Sequence, residues 1–168
     1  VERLELALEM AQVVVHTDRY ELLILEDLAR LRFDVGGPQA AAAEYRALAE
    51  RARHVPNAAL THANSLTGLI AALLMQGDLA GAVKAAHEVL GPICRSGAFL
   101  GRADTFAWLA AMCGNATLAT RLIQASKRYR SEIGMPQLDA LEQTCRERAL
   151  ARLAELDAAR VPRAALEA

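Results

Sequence analysis

The chain has 168 residues, 54% of them apolar, 23% charged and 4% aromatic, with a formal net charge of −1. That is one domain with its own core or a short repeat array; it is too apolar for a disordered chain and lacks the basic field of a nucleic-acid or anionic-membrane binder. Ala (36) and Leu (26) outnumber Val, Ile and Thr together (21); the former favour helix and the latter strand, which excludes an all-β fold and disfavours a Rossmann-type sheet.

Helical periods run along the whole chain and stop at regular places. A first helix spans about 2–15, with Leu4, Ala7, Leu8 and Ala11 on one face, and His16-Thr17 breaks it. Asp18 caps the next, about 19–34, with Glu21 completing a capping box. Gly36-Gly37 turns the chain, and Pro38 opens a helix over 38–53, where a first turn tolerates proline. Pro56-Asn57 caps a helix at about 58–76. Gly77-Asp78 ends it and caps another at about 79–90. Gly91-Pro92 and Ser96-Gly97 bracket a loop. Further helices follow at about 98–113 and 116–133, turning at Gly114-Asn115, and Gly134-Met135-Pro136 leads to a last one at about 137–159. Lys127, Arg128 and Arg130 sit where cations complement the helix dipole. The expected architecture is all-α, with about eight helices and no strand.

The turn glycines Gly36, Gly77 and Gly114 lie 41 and 37 residues apart. Five residues after each stands an alanine (Ala41, Ala82, Ala119), and eight before each a large apolar residue (Leu28, Leu69, Phe106). Seven before stand Ala29, Ile70 and Ala107. Two antiparallel helices cross closely only where small residues meet. The pattern resembles the tetratricopeptide repeat (TPR), most clearly at Leu69, Gly77-Asp78-Leu79 and Ala82. It departs from that repeat in its longer spacing and in prolines displaced to Pro56, Pro92 and Pro136. The resemblance implies a right-handed superhelical stack of helix hairpins in one domain: 1–16 as the second helix of a truncated repeat, pairs at 18–53, 57–91 and 97–134, and a capping helix at 136–160. The chain reads as a fragment of a larger protein.

A narrower resemblance lies in Ala116-Thr117-Leu118-Ala119-Thr120-Arg121-Leu122-Ile123-Gln124-Ala125 with Tyr129-Arg130, Ile133-Gly134 and Met135-Pro136. This stretch is similar to the closing helices of bacterial regulators that join a winged-helix or LuxR-type DNA-binding domain to an ATPase and a helical-repeat sensor. Nothing in the chain matches the ATPase or DNA-binding parts.

Motifs for chemistry are missing: there is no G-x-G-x-x-G, G-x-x-x-x-G-K-[ST], H-E-x-x-H or G-x-S-x-G. No histidine follows a carboxylate by three residues, so the Glu-x-x-His pair of di-iron bundles is missing too. The expectation is no catalysis, no metal and no cofactor. Cys94, Cys113 and Cys145 are odd in number and far apart, which suits a reducing cytoplasm and small core residues. Arg121, Lys127, Arg128 and Arg130 read as a solvated helix end, and Glu142 with Arg146 as an exposed intrahelical pair. No apolar run reaches membrane length.

Equal offsets from the turn glycines give a candidate groove: Glu26 and Arg30, then Thr67 and Ala71, then Asp104 and Trp108, with Phe33, Asn64, Met75 and Met112 nearby. A lone Trp beside Met and a few polar groups suits a binding surface, and on that reading Trp108 is partly exposed. The function expected is a cytoplasmic, non-catalytic binding or sensor module of a bacterial transcriptional or signalling regulator. It takes a protein, peptide or small effector, and this segment touches neither nucleic acid nor membrane. The alternative is homo-oligomerisation through the first or last helix, a homodimer being possible.

Overall fold

Five glycines adopt φ between 67° and 85°, a region that disfavours any residue with a Cβ, and the chain turns at each: Gly37, Gly77, Gly97, Gly114 and Gly134. The computed structural model describes residues 5–6, 18–95, 97–135 and 137–164. Its elements are α1 (Asp18–Gly36), α2 (Pro38–Arg53), α3 (Ala59–Met75), α4 (Leu79–Arg95), a 3-10 turn (Phe99–Arg102), α5 (Ala103–Met112), α6 (Ala116–Glu132) and α7 (Ala140–Ala164). Among the described residues there is no strand, and the protein is all-helical as expected. The helix expected over 2–15 falls outside the described residues except for Glu5 and Leu6, as do the break at His16-Thr17 and the side chain of Asp18.

Three helix ends close in the same way. After α3, Asp78 N–H donates to Leu73 C=O at 2.9 Å and Gly77 N–H to Leu74 C=O at 3.1 Å. After α5, Asn115 and Gly114 bond Ala110 and Ala111 alike; after α6, Met135 and Gly134 bond Arg130 and Ser131. The paired bonds satisfy the last carbonyls of a helix and require a left-handed residue at the glycine. Asp78 Oδ1 then accepts Gly81 N–H at 2.8 Å, and Asn115 Oδ1 accepts Leu118 N–H at 3.1 Å. One residue thus ends a helix and its neighbour starts the next.

Several boundaries differ from the sequence expectation. The left-handed residue of the first turn is Gly37, with Gly36 still helical. Asn57 does not cap α3; it turns the chain at φ 62°, and the cap position falls to Ala58, which supplies no side-chain bond. Gly91-Pro92 does not open a loop, because α4 continues through Pro92 to Arg95. Val89 and Ile93, both fully buried, extend the buried stripe begun by Ala82 and Ala86, and that burial outweighs the hydrogen bond lost at Pro92. The helix expected from 98 starts as a 3-10 turn. The last helix begins at Ala140, after a capping box: Asp139 Oδ1 accepts Glu142 N–H at 2.8 Å and Glu142 Oε2 accepts Asp139 N–H at 3.0 Å.

The chain forms two compact units, residues 1–98 and 99–168. In the first, α1 packs on α2, α2 on α3 and α3 on α4. The first two run antiparallel: Arg32, late in α1, reaches Glu44, early in α2, at 2.6 Å, and Arg51, late in α2, reaches Glu21, early in α1. Buried Leu22, Leu48, Ala52 and Ala58 form one core cluster. Helix α3 is the central element, buried at every position from Ser65 to Leu74. In the second unit α5 is central and packs on α6 and α7, with Ala110, Ala111 and Ala119 buried together. The repeat-register alanines Ala41, Ala82 and Ala119 are each fully buried, and Leu28, Leu69 and Phe106 nearly so.

Candidate functional site

The residues expected to line a groove are mostly packed inward. In the first unit Glu26 is 6% exposed and faces Arg30 at 3.7 Å, while Arg30 also bonds Asp27 at 3.1 Å. Phe33 and Ala71 are buried. Thr67 is buried too, and its hydroxyl donates to Ala63 C=O at 2.8 Å, inside its own helix. Asn64 and Met75 are half-buried. In the second unit Asp104 is 1% exposed, Trp108 4% and Met112 half-buried. The exposed Trp108 expected from sequence is therefore corrected. A helix that is central to its unit has little free face, so equal offsets along α3 and α5 point into packing.

Asp104 instead anchors a polar brace in the second unit. Arg146 of α7 donates from Nε and Nη2 to the two Asp104 oxygens at 2.8 and 2.9 Å. The Ser126 hydroxyl of α6 donates to Asp104 Oδ2 at 2.7 Å and accepts from Arg146 at 3.0 Å. A forked guanidinium suits this two-point contact. Beside it, Arg130 meets Glu142 at 2.5 Å and donates to Gln137 C=O at 2.9 Å, and Arg102 reaches Glu142 at 3.2 Å. Glu142 and Arg146 are thus not the exposed intrahelical pair expected, and Arg130 leaves the solvated group formed by Arg121, Lys127 and Arg128. The capping box at Asp139 to Glu142 has a local D-x-x-E signal, which the expected helix start at about 137 passes over. The Asp104–Arg146 contact joins residues 42 apart and has no local signal.

Thr105 donates to the Cys145 thiol at 3.5 Å. Burial pushes that thiol up to about 12, so it stays protonated and unreactive at neutral pH. Cys94 and Cys113 are exposed, which corrects the core reading for two of the three cysteines. Among the described residues no group of His, Cys, Asp and Glu is arranged to hold a metal ion, and no helix is long and apolar enough to cross a membrane.

Two grooves open on the first unit. One, about 350 Å³, lies along α1 and α2 over Leu25, Leu28 and Leu48. Its cations are taken: Arg32 pairs with Glu44 and with Glu5 at 3.2 Å, and Arg51 with Glu21. The other, about 280 Å³, runs between α2 and α4 with Leu66, Leu69 and Leu73 of α3 as its floor. Arg46, Glu50 and Arg53 line one wall, Lys84 and Glu88 the other. Arg53 is shared by Glu50, at 3.5 Å, and Glu88. His54 bonds Glu50 at 3.2 Å; this bond and the Arg53 charge hold the Glu50 carboxyl below its ordinary range. Next to the wall stands His62 of α3, half-buried, with Nε2 at 3.8 Å from Glu88 and no hydrogen bond. Burial lowers its pKa against the pull of Glu88. Of this groove's lining the sequence reading singled out Leu69 alone, as a repeat position, because the charged wall residues come from two separate helices and carry no motif. No protein-family profile, curated protein or solved structure matches the chain.

Proposed function

We propose that the chain is a non-catalytic binding module, a TPR-like right-handed stack of helix hairpins acting as the sensor part of a bacterial regulator. The observation that carries this reading is the α2–α3–α4 groove, which combines an apolar floor with two wall cations, Arg46 and Lys84, that make no hydrogen bond or ion pair among the described residues. A concave apolar site with a few convergent charges is the usual make-up of a small-ligand pocket. The polar groups at Asp104, Ser126 and Arg146 support the reading indirectly, since they saturate one another. The regulator setting rests on the Ala, Leu and Arg pattern of 116–136. The test is a titration of isotope-labelled protein with a mixture of small organic fragments, followed by amide chemical shifts. Shifts gathered at Ala49, Leu69, Leu73 and Ala85 are expected; shifts scattered over both units, or none, overturn the reading.

Self-association is a second reading, favoured by Leu150 on α7 at 47% exposure and Met135 after α6 at 62%. Sedimentation over a wide concentration range decides it. A monomer throughout removes this reading, and a dimer lost in Leu150→Glu assigns it to α7.

A further inference from the structure

The wall charges of the α2–α3–α4 groove define what it accepts, on the reading that this groove is the binding site. Three cations (Arg46, Arg53, Lys84) face two carboxylates (Glu50, Glu88), leaving one positive charge. Arg53 is consumed by the two carboxylates. The surplus therefore sits on Arg46 and Lys84, one on each wall, which have no partner among the described residues. Between them the floor is leucine. The first groove offers the contrast, since each of its arginines is already paired.

Size narrows the occupant further. A volume of about 280 Å³ falls just below the range of drug-sized ligand pockets, about 300 to 1,000 Å³. A polypeptide helix, about 10 Å across with its side chains, does not fit. A phosphate monoester carries a charge of about −1.5 to −2, which exceeds the surplus and sets a second negative charge beside Glu50 and Glu88. A single carboxylate matches the surplus, and the planar guanidinium of Arg46 suits it. We infer that the groove binds a small aliphatic carboxylate, its head held between Arg46 and Lys84 and its chain laid on Leu66, Leu69 and Leu73.

Amide shifts of the full chain titrated separately with octanoate, octan-1-ol and octyl phosphate test this. Octanoate is expected to give saturable shifts at Ala49, Gly81 and Ala85, with the alcohol and the phosphate each bound about tenfold or more weakly. The double variant Arg46→Gln/Lys84→Gln is expected to lose about tenfold or more in octanoate affinity while keeping its thermal midpoint, since both side chains are exposed. Should the double variant lose its midpoint, Lys84→Gln alone carries the same test with a smaller loss. Octanol binding as well as octanoate, or a variant binding octanoate like the parent, overturns the carboxylate assignment and leaves the groove reading standing. Octyl phosphate binding tighter than octanoate also overturns it. If none of the three shifts the groove amides while fragments do, only this inference fails; if fragments fail as well, both do.

Discussion

A hydrogen in place of a methyl at position 68 decides how closely α2 and α3 approach. A Cβ built on Gly68 would lie 2.5 Å from Cε1 and Cζ of Tyr45, whose ring is 2% exposed. Gly68→Ala is expected to destabilise by about 1–3 kcal/mol through overpacking, despite the better helix propensity of Ala. Urea denaturation of the single variants and of the pair with Tyr45→Ala checks it; a cost for Gly68→Ala that persists without the ring would place the clash elsewhere. Trp108, 4% exposed, is expected to resist acrylamide quenching, and Trp108→Ala to cost about 3–5 kcal/mol. Ready quenching would return it to the surface. His62 supplies a pH dependence. Burial depresses its folded pKa below the unfolded value of about 6.5. Its contribution is therefore complete above that value and is lost as pH falls from there through the folded pKa. The urea midpoint should decline on acidification over that window, and His62→Gln should flatten the decline.

At the scale of elements, α7 is held by charge as much as by apolar burial. Its buried positions are few (Leu141, Glu142, Cys145, Ala149), and Arg146 reaches both α5 and α6. Arg146→Ala leaves the Asp104 carboxylate, 1% exposed, with the Ser126 hydroxyl as its one remaining side-chain donor among the described residues. The expected loss is about 3–5 kcal/mol, the usual result of breaking a buried pair from one side. A loss below 1 kcal/mol, read by denaturant titration, would mean water or another cation replaces the guanidinium. Helix α4 makes the opposite case. Local rules end it at Gly91-Pro92, yet Ile93 is fully buried one turn further on, and the helix persists. Pro92→Ala should then stabilise by about 1–3 kcal/mol, seen as a raised thermal midpoint.

For the whole molecule, the far-ultraviolet circular dichroism spectrum should be predominantly helical, and a substantial strand signal would contradict the all-helical backbone. Each of the two units has a central helix, α3 or α5, flanked by helices that carry most of its charged groups, Asp104 of α5 being buried against them. That division of labour accounts for the low hydrophobic contrast along α3 and α5, which are apolar nearly all round. It also accounts for the failure of a groove drawn along them. The wall cations Arg46 and Lys84, unpartnered among the described residues, lie on α2 and α4, flanking helices of the first unit.

Helix content, the glycine turns and the buried small residues were legible in the sequence, because each is a local property. Ala-rich periodicity sets helix, a left-handed position demands Gly77 or Gly114, and a close crossing demands Ala82 or Ala119. The cap at Asp78 is local as well. The tertiary structure alone decided the rest. Whether Asp104 and Trp108 face solvent depends on what packs against α5, and periodicity gives a face without saying which neighbour covers it. Arg146 and Glu142 sit at helical spacing, but the deeper partners Asp104 and Arg130 outcompete the intrahelical pair, since a charge turned inward must be matched there. The walls of the α2–α3–α4 groove come from separate helices, so only folding brings Arg46 and Lys84 to the same opening.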